Sequence, residues 1–150
     1  MQSTLLPVAA AALSLCTACT DTGEEKSFEW KSPSEESLLQ CVAGRLPAEG
    51  LTPLTSGDIR SAIVGQRIGF YPEGKSAEDV SQKDIVQRDG VYINFVDNGS
   101  IMSRYKVRGH CLCIGAGTYE CLAFFRNRDG QIVTGIEGYK PFYLTREPID

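Results

Sequence analysis

The sequence predicts a mainly β protein: a small antiparallel barrel of the up-and-down kind, preceded by two short helices. Three observations predict it. The stretch from Val91 to Phe125 holds successive segments of period-two alternation separated by turn signals, the pattern of half-buried strands. The fifteen glycines fall mostly at turn positions. Two short apolar stripes at helical spacing, each opened by a capping sequence, come before the first strands. At 150 residues the chain is expected to form one domain at 32–150, behind residues 1–19 and 20–31, which carry other signals.

Leu5 to Leu15 is an apolar run rich in alanine, too short to span a bilayer and suited to the core of a signal peptide. No Lys or Arg precedes it, a departure from the usual pattern. Leu15-Cys16-Thr17-Ala18-Cys19 resembles a lipobox, with Cys16 where leucine is usual. Residues 1–19 therefore read as a signal peptide with a lipobox-like end, and Cys19 as the lipidation site. An ordinary signal peptide and an unprocessed helix are the alternatives. Thr20, rather than Asp, follows Cys19, which under the enteric sorting rule permits delivery to the outer membrane. Residues 20–31 form a polar tether.

Ser32-Pro33-Ser34-Glu35 predicts a helix start, with Ser32 as cap, Pro33 in the first turn and Glu35 completing a capping box. Leu38, Cys41 and Val42 share one side of that helix, and Gly44 ends it. Thr55-Ser56-Gly57-Asp58 is a second capping box, followed by the stripe Ile59, Ala62 and Ile63 and a stop at Gly65. Arg67 to Tyr71 predicts the first strand. Pro72 to Gly90 is a long polar connection whose Ala77–Val86 portion suits either a short strand or a helical turn.

Val91, Ile93 and Phe95 alternate, as do Ile101, Ser103, Tyr105 and Val107. Asp97-Asn98-Gly99 joins them. The apolar match favours a three-residue loop that sets Val91, Ile93 and Phe95 opposite Tyr105, Ser103 and Ile101 on the inward face. A tight loop centred on Gly117 places Cys113 opposite Cys121 and Leu112 opposite Leu122. Leu112, Ile114, Leu122 and Phe124 then face the interior. Cys111, Cys113, Cys121, Ala123 and Phe125 face outward and need a cover. Gln131 to Gly135 and Phe142 to Arg146 predict the last strands.

The ordered set Leu54-Thr55-x-x-x-Ile59-x-x-x-Ile63-x-Gly65, Phe70-Tyr71, the glycine-turn hairpin, Tyr105-x-Val107-x-Gly109-x-x-Leu112-Cys113 and Cys121 resembles small exported bacterial proteins of uncharacterised function. Those proteins have a lipocalin-like β-barrel, and often tryptophan where this chain has Tyr105. The resemblance covers residues 54–125. It implies a lipocalin/calycin-like fold and an exported location, and carries no catalytic residues across. Cys41, Cys111 and the first helix fall outside it.

Net charge is −4 with both signs interspersed, so no basic stripe invites nucleic acid. Four cysteines remain after processing at Cys19, an even number in a compartment that oxidises thiols. The expected pairs are Cys113–Cys121 across the hairpin and Cys41–Cys111, which lays the first helix over the outside of the barrel. The rival pairing, Cys41–Cys113 with Cys111–Cys121, needs a shifted hairpin. His110 with the cysteines has zinc-ligand chemistry but no Cys-x-x-Cys spacing, so no metal and no cofactor are expected. His110 and Cys111 point to opposite strand faces, which argues against a nucleophile–base pair. Gly115-Ala116-Gly117 lacks the following helix of a phosphate loop, and Asn98-Gly99-Ser100 reads as a turn rather than a glycosylation site.

Phe70, Tyr71, Phe95, Ser103, Tyr105 and Phe124 form the candidate ligand-binding set. They line either a filled core or a ligand-holding mouth. The functional expectation is a non-enzymatic, lipid-anchored envelope protein, held to the membrane through that anchor, that binds a small apolar ligand or an envelope partner. The alternative is an inhibitor of an exported hydrolase, a peptidase or a lysozyme, acting through 72–90.

Overall fold

The computed structural model describes residues 31–80, 83–115, 121–135 and 141–150. Residues 1–30, including Cys19 and nearly all of the tether, lie outside the described residues, as does the loop around Gly117.

Helix α1 (Glu35–Gly44), strand β1 (Thr52–Pro53) and helix α2 (Ser56–Ala62) precede eight strands. These are β2 (Gln66–Tyr71), β3 (Asp84–Val86), β4 (Val91–Val96), β5 (Gly99–Arg108), β6 (Cys111–Ile114), β7 (Cys121–Arg126), β8 (Ile132–Gly135) and β9 (Phe142–Pro148). Every neighbour in the meander is consecutive and antiparallel, and β9 returns to pair with β2, closing an up-and-down barrel. Closure removes the open edges that invite aggregation. The two residues of β1 extend the edge of β7 beyond the end of β6.

The interior is packed by Ile68, Val86, Tyr92, Leu112, Leu122 and Phe124. Leu54, Ile59 and Ile63 join the same cluster, so α2 sits across one end of the barrel. The Thr55–Asp58 capping box forms as the sequence predicts, with the Thr55 Oγ1 accepting from the Asp58 N–H and the Asp58 carboxylate accepting from the Thr55 N–H. The bond from the Thr55 N–H, and a second from the Thr55 hydroxyl at 2.8 Å, favour the ionised form and hold the Asp58 carboxyl below its usual value.

A second cluster lies outside the sheet. Leu38 and Cys41 of α1 pack on Cys111, Cys113, Ala123, Phe125 and Val133. The register Cys113↔Cys121 and Leu112↔Leu122 is as expected. So are the two disulfides: Cys41–Cys111, with Cα atoms 6.2 Å apart, and Cys113–Cys121, 3.9 Å apart. His110, buried beside Phe125, donates from Nε2 to the Arg45 carbonyl at 2.7 Å and fixes the chain just after α1.

Expectations at the start of α1 and in the β4–β5 hairpin are corrected. The helix cap is Ser34, whose Oγ accepts from the Ser37 N–H, and not Ser32. The Lys31 carbonyl accepts from the Arg104 N–H, so the chain there lies along β5 and the helix begins only after Pro33. Glu35 is released from the expected box and reaches Lys106 and Arg108.

The β4–β5 hairpin turns through Asp97–Asn98, pairing Val96 with Gly99, Tyr92 with Ser103 and Val91 with Arg104. Gly99 has φ +150°, a value side chains rarely adopt. This one-residue shift turns Tyr92 inward and puts Val91, Ile93 and Phe95 on the other face. The cause is polar: Asp84, on the same face as Val86, accepts from the Tyr92 hydroxyl at 2.7 Å and from Asn94 Nδ2 at 3.0 Å. Val91 and Ile93 are buried even so, which leaves alternation unable to choose the face.

The polar connection holds a 3₁₀ turn, Ala77–Asp79, and the strand β3, so both readings of Ala77–Val86 occur in it.

Candidate functional site: a basic groove beside β5

The six aromatic and hydroxyl residues singled out from the sequence do not converge. Phe124 is fully buried in the core, and Phe70 packs partly buried against it. Tyr71, the next residue along β2, points the other way and stacks on Tyr143 with ring centroids 5.5 Å apart. Phe95 is half-buried on the face opposite Tyr92. Ser103 is inward and buried, and its hydroxyl has no hydrogen-bond partner among the described residues. Tyr105 is inward and half-buried, and its hydroxyl donates to the Gln87 carbonyl at 2.6 Å.

Tyr105 does, however, belong to a site. Strand β5 pairs with β4 from Gly99 to Arg104, and the Tyr105 N–H still donates to the Gly90 carbonyl at 3.1 Å; Lys106 to Arg108 pair with β6 alone. The free edge left there opens a groove of about 530 Å³ between β5, α1 and α2. Both faces of β5 contribute, Tyr105 and Val107 from one and Lys106 and Arg108 from the other. Helix α1 adds Glu35 and Leu38, Arg60 comes from α2 with Val64 just beyond it, and Arg88 comes from the turn before β4.

The groove is electrostatically lopsided. Arg60, Arg88, Lys106 and Arg108 face a single lining carboxylate, Glu35, an excess of three positive charges in a chain of net −4. Glu35 is shared, bonding Lys106 Nζ at 3.2 Å and Arg108 Nη1 at 3.3 Å. These are exposed pairs and hold the side chains only weakly. Arg60 and Arg88 have no ion pair among the described residues.

Arg88 is placed by Gly65. At φ +81° that glycine passes so close beneath the guanidinium that a Cβ there would come 2.8 Å from Nε. Burial raises the Tyr105 hydroxyl pKa and the Asp89 carboxylate raises it further, against the pull of Arg60, so it stays a neutral donor at ordinary pH.

Paired guanidiniums match the fork geometry of carboxylate and phosphate oxygens. Leu38, Val64, Tyr105 and Val107 supply apolar wall beside them. The arrangement suits holding an anionic group that carries an apolar neighbour. Sequence reading missed Arg60, Arg88, Lys106 and Arg108 because they are scattered over three elements and diluted by the acidic total. The available signal was the pair Lys106 and Arg108, two outward cations on one strand face.

Cys41, Cys113 and Cys121 bring their sulfurs within 4.8 Å of one another, a metal-like spacing, but each is already bonded in a disulfide and has no thiolate to offer. No family model, curated protein or solved structure matches this chain.

Proposed function

We propose that this is a non-enzymatic binding module of the bacterial envelope, a lipocalin-like barrel exported by residues 1–19 and tethered through a lipid on Cys19. Its partner is an envelope protein that presents an acidic segment to the basic groove. The observation that carries the reading is the gathering of four cations around one shared carboxylate on an otherwise acidic molecule. The packed interior and the divergence of Tyr71 and Phe95 from Phe70 and Phe124 weigh against a small apolar ligand inside the barrel.

Titrating isotope-labelled protein with a short peptide of glutamates interspersed with leucine tests this. Amide shifts centred on Arg60, Arg88 and residues 105–108 are expected. Shifts confined to 72–79 would instead favour the inhibitor reading, which draws on that segment's exposed turn, held by the Ser76–Asp79 capping box. Fatty-acid labelling that persists in a Cys19→Ala protein would remove the anchor from the proposal.

A further inference from the structure

The two disulfides are neighbours in space. Cys41 Sγ lies within 4.8 Å of both Cys113 Sγ and Cys121 Sγ, although its own bond is to Cys111. Cys41, Cys111 and Cys113 are buried, while Cys121 is only partly so. Cys121 is thus the one partly exposed residue of the four, and its disulfide partner Cys113 is buried beside the staple holding α1.

We propose that the hairpin disulfide is a thiol–disulfide exchange site for a dithiol reductant, and that opening it lets the helix staple migrate. A thiolate of the dithiol attacks Cys121 Sγ. A mixed disulfide forms, the Cys113–Cys121 bond breaks, and the electron pair leaves on Cys113. The Cys113 thiolate then attacks Cys41 Sγ, forming Cys41–Cys113 and breaking Cys41–Cys111. Cys111 leaves as a thiolate and takes a proton from water, because its apolar surroundings (Leu38, Ala123, Phe125 and Val133) disfavour the anion. The second thiol of the reductant displaces Cys121 and becomes a disulfide. One protein disulfide has been reduced by two electrons, and the one that remains has moved.

The new loop is two residues longer than the original separation of 70, so chain entropy scarcely distinguishes the isomers, and packing of α1 in the folded state sets their ratio. Cys111 and Cys113 are same-face neighbours about 6.5–7 Å apart along the strand. Because Cys41 Sγ already lies within 4.8 Å of Cys113 Sγ, migration shifts α1, which carries Glu35 and Leu38, only slightly against the groove it walls. Only this last consequence rests on the binding function proposed above.

The direct test uses the full chain with Cys121→Ser, which leaves Cys113 as a free thiol beside the staple. After acid quench and alkylation, peptide mapping with cleavage between Cys111 and Cys113 should find a Cys41–Cys113 species with the label on Cys111. Label on Cys113 alone, with Cys41–Cys111 intact, overturns the proposal. If that variant does not fold, wild-type protein treated with limiting dithiothreitol decides: a one-disulfide species labelled on Cys111 and Cys121 but not on Cys41 is expected, and label only on Cys113 and Cys121, or only on Cys41 and Cys111, overturns the proposal. The groove consequence is read separately, as a change in affinity for the acidic peptide between the two isomers. Equal affinities refute the consequence and leave the exchange standing. A peptide that binds neither isomer refutes the groove reading instead.

Discussion

Two tyrosines show how a single hydroxyl decides placement. Tyr92 is buried with its hydroxyl on Asp84, and burial, reinforced by the Asp84 charge, drives its pKa well above the ordinary value. Tyr105 is half-buried with its hydroxyl on the Gln87 carbonyl. Tyr92→Phe should cost on the order of 2 kcal/mol, since the lost bond is to a charged acceptor, and Tyr105→Phe about 1 kcal/mol. Both folded-state pKa values are raised, so both contributions are complete below about pH 10. They fade above it, as the unfolded chain releases its protons first. Denaturant unfolding across alkaline pH should therefore show a shallower fall for Tyr92→Phe than for wild type; parallel curves would place the Tyr92 hydroxyl in solvent. This is also where sequence reading failed. Val91-Tyr92-Ile93 is apolar on both faces, so periodicity could not choose which face turns inward, and the deciding bond to Asp84 joins residues eight apart across a turn.

At the scale of elements, legibility tracked locality. The α2 capping box and the Cys113–Cys121 hairpin are set by residues three and eight apart, and both were readable. The cover over Cys111, Ala123 and Phe125 was readable too, because a small apolar outer face demands one and Cys41 was the remaining partner. The N-terminus of α1 was not: the long-range bond from Arg104 N–H to the Lys31 carbonyl moved the cap to Ser34. Thr55→Ala should lower stability by about 1 kcal/mol through loss of the cap. The Asp58 contribution has the acid sign: its folded pKa is depressed, so it is present above the unfolded carboxylate pKa and lost as pH falls through the folded value. Replacing Cys41 and Cys111 together by serine should cost about 4 kcal/mol in the chain-entropy model for a separation of 70 residues. A thermal melt unchanged by the double substitution would show that α1 is held by packing alone.

For the whole molecule, closure of β9 onto β2 and the placement of α2 across one end leave β5 with a free edge at residues 106–108. The groove exists because the meander is longer on β5 than on β4, and no local pattern in the sequence states that. Its cations reach it from α2, from the turn before β4 and from β5 itself, and the fold alone brings them together. The measurement that tests the account most directly is calorimetric titration of the disulfide-intact protein with the glutamate–leucine peptide, at low and high salt, beside an Arg60→Glu, Arg88→Glu double variant. The account predicts binding that weakens with salt and falls roughly tenfold or more in the variant, with its melting temperature retained. Affinity indifferent to both salt and charge reversal would contradict it.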